Sequence, residues 1–290
     1  MQGGDPARRA LARLSGERGE ETKERTMARQ IIDISTVLKA GIASDPPHML
    51  PSIDYRDHHQ TAQSMADYMG VGLDALPEGE YAAVEQINLS THNGTHMDAP
   101  YHFFSRMDEK LVPGGRPSMR IDEVPLDWCF QPGVKLDFRN KPDGHVVQPD
   151  EVEAELRRIG HELRPLEIVL VNTRAGSRYG EADFIDSGCG MGRAATLWLA
   201  ERGVRVVGTD GWSWDAPFSH TRKRVQDTGD TSLIWEGHRA GREIGYCQME
   251  KLANLDALPP DGFTVACLPM KIHRASAGWT RAVAILEDRA

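Results

Sequence analysis

Cysteine is scarce in this chain, and its four copies, Cys129, Cys189, Cys247 and Cys267, lie far apart with no C-x-x-C pair. Such spacing argues against a disulfide frame and against a thiolate zinc or iron–sulfur site; it fits reduced thiols in a cytoplasmic protein. Long apolar runs are missing as well. None approaches the roughly 20 residues of a membrane helix, and the N-terminus lacks the apolar core of a signal peptide. A basic surplus is absent too: 34 Lys and Arg stand against 43 Asp and Glu, giving a net charge of -9 and a pI near 5.7. The phosphate footprint of a nucleic-acid binder is therefore not expected. What survives is a small-molecule partner, with neither nucleic acid nor membrane.

Apolar material is sufficient for a core, since 40% of the 290 residues are hydrophobic, and one large domain is expected over residues 30–290. Residues 1–29 differ. They are rich in Arg, Glu and Gly with almost no large apolar side chains, which predicts a disordered charged arm or a mobile helix. Met27, just before the first strand-like segment, is a second candidate start. Beyond the arm, strands and helices alternate without a repeat. Gly133–Phe138, Glu167–Asn172 and Val204–Gly208 read as strands. Glu151–Leu163 reads as a helix opened by Pro149-Asp150, and Ala194–Glu201 as a helix stopped by Gly203. The class is mixed α/β.

Between His92 and His102 the chain carries three imidazoles and a carboxylate: His92, His96, Asp98 and His102. Neutral imidazole nitrogens with a carboxylate oxygen suit Zn2+ or Mn2+, so the segment reads as a metal site. Gly94 and Pro100 oppose a helix there, which places the ligands on a loop, with Val84–Ser90 as the strand that leads into it. Gly94 lets the chain fold back and bring His92, His96 and Asp98 together. His102, beyond a proline that holds Ala99 extended, suits a general base or acid.

Other features carry less. Gly188–Arg193 lacks the Lys-Ser/Thr ending of a phosphate loop and reads as a turn before the Ala194 helix. His58 and His59 diverge as neighbours, and with the polar Asp54–Asp57 run beside them they read as a solvated loop. Trp212, Trp214 and Phe218 follow a strand exit, and Phe103 and Phe104 follow the metal motif, so a ring-lined pocket beside the site is expected, and with it an aromatic substrate.

The run His-Asn-Gly-Thr-His-Met-Asp-Ala-Pro-Tyr-His-Phe from His92 resembles the H-x-G-T-H-x-D-x-P-x-H-F signature of the cyclase family of metal hydrolases, which includes bacterial kynurenine formamidases and isatin hydrolases. The resemblance extends from Ile31–Ser35 through Ala194–Asp210 to Pro269–Ile272. It implies a swivelling β/β/α single domain that pairs into homodimers or homotetramers. It also implies that His92, His96 and Asp98 bind a first ion, that Asp98 bridges to a second held by His238 and Glu250, and that His102 is the catalytic imidazole. Some relatives carry glutamine at the Glu250 position with a single Mn2+. The carboxylate here favours two Zn2+, with Mn2+ the alternative.

The expected chemistry is hydrolysis of an amide by metal-activated water, His102 shuttling the proton. The segment Asp54–Glu85 and the Trp212-Ser213-Trp214-Asp215 stretch depart from the shorter kynurenine formamidases, which favours a cyclic amide or another ring-containing substrate over N-formylkynurenine. The longer segment suits a lid or a dimer interface. A lactonase is the alternative, and a non-catalytic metal-dependent binding protein is a third reading, opposed by the presence of His102.

Overall fold

The computed structural model describes residues 29–287, and the expected N-terminal arm lies outside them but for Arg29. In chain order the strands that frame the site are β1 (Arg29–Asp33), β2 (Ser52–Arg56), β3 (Val84–Asn88), β4 (His96–Asp98), β5 (Phe130–Asp137), β6 (Ile168–Asn172), β7 (Val206–Thr209), β8 (Cys247–Glu250), β9 (Phe263–Ala266), β10 (Ala277–Trp279) and β11 (Val283–Glu287). The helices are α1 (His58–Met69), α2 (Pro100–Phe103), α3 (Pro149–Ile159), α4 (Arg193–Glu201), α5 (Phe218–Thr228) and α6 (Glu236–Glu243).

Nine strands form one mixed sheet in the order β1-β11-β9-β5-β6-β7-β8-β4-β10. The run Ile168-Val169-Leu170-Val171 is apolar throughout because β6 is a parallel strand buried on both faces. Strands β5 to β8 run parallel, with α3, α4 and the α5–α6 pair in the crossovers between them. β4 then joins β8 antiparallel, and β10 joins β4.

Two cores lie on the two faces. Ile168 and Leu170 point into one, Val169 and Val171 into the other. Each such side chain, fully buried, contributes about 1.5–3 kcal/mol. The same alternation sends Met97 of β4 and Met249 of β8 into the first core. Their neighbours His96, Asp98, Gln248 and Glu250 therefore share the opposite, helix-covered face. A one-residue slip would exchange ligands for methionines, so burial of Met97 and Met249 fixes the register of the site.

Helix α3 begins at Pro149 and ends where Gly160 turns left-handed (φ 70°), with Val152 and Leu156 buried at helical spacing. Helix α4 matches its expected span to within one residue. Four local expectations are corrected. Val84–Asn88 pairs with Ser52–Arg56 in a separate two-stranded antiparallel sheet, with α1 in the connection, and does not lead the ligands out of the main sheet. The ligand segment is only in part a loop, because β8 and β10 both have backbone groups that pair His96–Asp98 into the sheet. His58 and His59 form the first turn of α1, since Asp57 accepts from the backbone N–H of His59 and Gln60 while Gln60 Oε1 accepts from Asp57 N. Gly190-Met191 pairs in parallel with Val146-Val147 instead of forming only a turn. Among the described residues no helix is long and apolar enough to cross a membrane.

Candidate metal centre

Strand alternation sets His96 and Asp98 side by side on one face of β4, and the antiparallel register puts Glu250 opposite His96 and Gln248 opposite Asp98. His92 arrives from the preceding turn, where Gly94 takes a left-handed φ of 61° and Asn93 Oδ1 accepts from Ser90 N at 2.7 Å. Pro100 starts the single turn of α2 and brings His102 back over Asp98. His238 comes from the first turn of α6, just after Trp235, whose φ of 59° is left-handed.

These elements converge. His92 Nδ1 lies 2.9 Å and His96 Nε2 3.3 Å from Asp98 Oδ1, and His96 Nε2 is 3.6 Å from Glu250 Oε2. His102 Nε2 is 4.0 Å from Asp98 Oδ2. Two trios each gather within 4.8 Å: His92, His96 and Asp98, and Asp98, His102 and His238. Gln248 stands between His238 and Glu250, its Nε2 at 2.8 Å from His238 Nε2 and 2.9 Å from Glu250 Oε1. Glu250 is the last residue of β8, and its Oε1 also accepts from Trp214 N at 3.0 Å.

The donor set fits a divalent cation. His96 Nδ1 faces the Gly94 carbonyl at 2.9 Å and so carries the proton, leaving Nε2 as a lone pair. His238 Nδ1 is bonded to the Asp215 carboxylate, which fixes the same tautomer. His96 Nε2 and Asp98 Oδ1 are fully buried and without hydrogen-bond partners, and such groups are costly unless something else satisfies them. Burial, then the charge of Asp98, pushes the Glu250 carboxyl up; Asp98 itself, against its burial, is held well down by the imidazoles around it, His96 first. A buried carboxyl pushed up by a buried carboxylate beside it is what a cation between the two would relieve.

Gln248, Asp215 and Trp235 escaped the sequence reading. Gln248 was recoverable, because it sits two residues before Glu250 and shares its face once a strand is assumed. The Tyr246 hydroxyl, 3.0 Å from Gln248 Oε1, aims the amide nitrogen at the cluster. Trp235 stacks on His238 with ring centroids 4.4 Å apart at 13°, and meets His102 edge-on at 5.3 Å. It also lines an apolar groove of about 470 Å³ with Phe218, Val225 and Ile234.

The five aromatics expected around the pocket separate. Phe218 lines the groove and Trp212 packs against it edge-on at 5.4 Å. Trp214 is fully buried under Glu250, its Nε1 donating to Thr196 Oγ1, and Phe103 is core, packed on His238 and Tyr246. Phe104 lies beneath the Arg242 guanidinium, away from the groove.

Fold and site together define a mixed α/β hydrolase-like chain with a curled sheet, and the chain belongs to the Cyclase family, whose model matches residues 32–216. It is similar to a kynurenine formamidase from Salinibacter ruber, 29% identical over 201 residues, covering 68% of this chain and 77% of that protein. Isatin hydrolase A from Ralstonia solanacearum shares the fold at a TM-score of 0.68 and 22% identity, over 97% of both chains. Isatin hydrolase A from Labrenzia aggregata, bound to benzyl benzoate, does so at 0.67 and 23%, over 90% of this chain and 94% of its own.

Proposed function

We propose that this chain is a metal-dependent hydrolase that opens a non-peptide amide bond in a small, ring-containing substrate. His92, His96, Asp98, His238 and Glu250 would hold the metal, and His102 would carry the proton. The observation that carries this reading is the pair of orphaned buried atoms, His96 Nε2 and Asp98 Oδ1, facing each other at 3.3 Å among three further imidazoles. A divalent cation bound there supplies Lewis-acid polarisation of a carbonyl and lowers the pKa of water. The chain's own residues do the rest. His92 and His102, with side chains 21% and 24% exposed, form the open side of an otherwise buried cluster, and His102 is the one that also meets Trp235 at the groove. The groove that shares Trp235 with the site offers a flat apolar surface, which supports a ring. The kynurenine formamidase relative and the isatin hydrolase likenesses support a C–N bond over a lactone. The Glu250 carboxylate supports two Zn2+ over one Mn2+, since it adds the negative charge that two close dications require.

The test is elemental analysis of protein purified without chelator, alongside hydrolysis of N-formylkynurenine, isatin and an aryl lactone. Two zincs with amide turnover are expected; turnover of the lactone alone would replace the bond class, and absence of metal would overturn the reading. Trp235→Ala is expected to raise KM for the aryl substrate about 2- to 12-fold, the range of one aromatic contact, with metal content unchanged.

The β2–β3 sheet and α1 leave Tyr55, Tyr68, Met69 and Ile87 between 51% and 83% exposed. Two strands outside the main sheet bury little surface of their own, and a two-stranded unit is marginal in water. Both facts support a homodimer or homotetramer in which a second copy covers this segment; a monomer in multi-angle light scattering at micromolar concentration would refute it.

A further inference from the structure

Four of the five side chains assigned to the metal stand on regular elements: His96 and Asp98 on β4, Glu250 on β8, His238 on α6. His92 stands on an irregular turn, so its imidazole is placed only as well as that turn is held. Ser276 Oγ lies 3.3 Å from the imidazole Nε2 and Ser90 Oγ accepts from His92 N at 3.2 Å, and beneath them the turn is tied to a buried ion pair that takes no part in the chemistry above. Lys251, 2% exposed, follows Glu250 in a left-handed conformation (φ 56°), a region non-glycine residues seldom occupy. Its Nζ bonds to Asp45 Oδ1 and donates to the His92 carbonyl oxygen at 2.7 Å, while its own carbonyl accepts from Thr95 Oγ1 at 2.6 Å. Asp45 Oδ1 also accepts from Trp212 Nε1 at 3.0 Å. Asp45 Oδ2 accepts from Asn93 Nδ2 at 2.9 Å and Ser44 Oγ at 3.1 Å. The same Asn93 amide reaches the Met49 carbonyl at 2.9 Å.

The His92 peptide and the side chain of the next residue are thus tied to one pair, and that pair is rooted in the residue after Glu250. The Lys251 charge also reaches the site, where it acts to lower the pKa of both Glu250 and His96. Its bonds go elsewhere, since Nζ is spent on Asp45 and the His92 carbonyl.

We propose that Asp45 and Lys251 are positioning residues of the metal centre, holding the His92 limb at its reach from Asp98. The inference rests on the reading of the cluster as a metal site. It predicts an effect confined to one ligand. Partners that orient a ligand typically change metal affinity about 10- to 100-fold, so Lys251→Met should weaken binding by that factor. Once the turn is loose His92 contributes little, and His92→Ala should then cost at least about tenfold less in the Lys251→Met background than in the native one.

The experiment is calorimetric titration of the chelator-stripped full chain with Zn2+ and with Mn2+, for the native protein, Lys251→Met, His92→Ala and the double variant. A parallel cycle uses His238→Ala. Coupling to His92 with additivity toward His238 is expected. Additivity with His92, or equal coupling to both histidines, would overturn the proposal, because the pair would then be stabilising the fold at large. Should the Lys251→Met melting curve show no folded state, Asp45→Asn, which removes the charge and keeps the size, enters the same cycle with the same criteria. A native chain that takes up neither ion overturns the metal reading itself, an outcome distinct from an additive cycle on a chain that binds.

Discussion

Replacing His96 with alanine is expected to empty the metal centre and leave the sheet standing. His96 is fully buried, and its unpartnered Nε2 is the atom that lies near both carboxylates, 3.3 Å from Asp98 Oδ1 and 3.6 Å from Glu250 Oε2. Without the ring, two buried carboxylates face one another across a cavity. Glu250 is already pushed up by burial and by Asp98, and the loss of the imidazole removes one of the influences that lower it. A carboxyl that takes up a proton no longer serves as an anionic ligand, so one substitution weakens two donors. The loss in affinity should therefore exceed the about 10- to 100-fold that an outer partner costs. The strand survives because β4 pairs with β8 and β10 through backbone groups that the substitution leaves alone. Elemental analysis and calorimetry check this, with circular dichroism for the fold. A His96→Ala protein that retains its full metal complement would remove His96 from the ligand set and refute the geometry on which the site is built.

How far the sequence discloses this centre depends on the distance over which each part is specified. His92, His96, Asp98 and His102 are legible together because one turn at Gly94 and one at Pro100 bring them to a point, and both turns are written locally. Glu250 converges on them only through the pairing of β4 with β8, a contact between segments some 150 positions apart, and His238 only through the packing of α6, so both rest on family resemblance alone. The Glu250-Lys251-Leu252-Ala253 run looks helical by composition. Pairing overrides that preference: Glu250 ends β8 opposite His96 of β4, Lys251 turns left-handed and Leu252 bridges to Ser35, since β-propensity measures fit to a neighbouring strand more than any intrinsic tendency of the backbone. Three residues of β4 are too few for alternation to show. The central strands were legible for the opposite reason: burial on both faces leaves a continuous apolar run that needs no partner to be recognised. Asp45 and Lys251 carried no signal, because nothing in sequence tells a buried, saturated ion pair from two solvated charges.

His102→Ala should separate proton transfer from metal binding. Loss of a general base typically costs about 10²- to 10⁴-fold in rate, and that drop in kcat is expected with the metal content of the native protein. Three observations support the division. His102 is farther from Asp98 than His92 is, 4.0 Å against 2.9 Å, it is on the exposed side of the cluster, and it lies against Trp235, where the groove begins. Burial, reinforced by the charges of His92, His238 and His96 against the opposing pull of Asp98, brings its pKa down to about 4. The sign follows directly. An imidazole must be neutral to accept a proton, so kcat/KM should lose its His102-dependent part as pH drops through about 4, and the residual activity of His102→Ala should lack this limb. The same structure places His102 within 4.8 Å of Asp98 and His238, a grouping that would also suit a ligand. The two roles part on one measurement. If His102→Ala loses an equivalent of metal along with its activity, His102 is a ligand of the second ion, and the proton must be carried by another group on the open side, where His92 is the remaining imidazole among the described residues of the cluster.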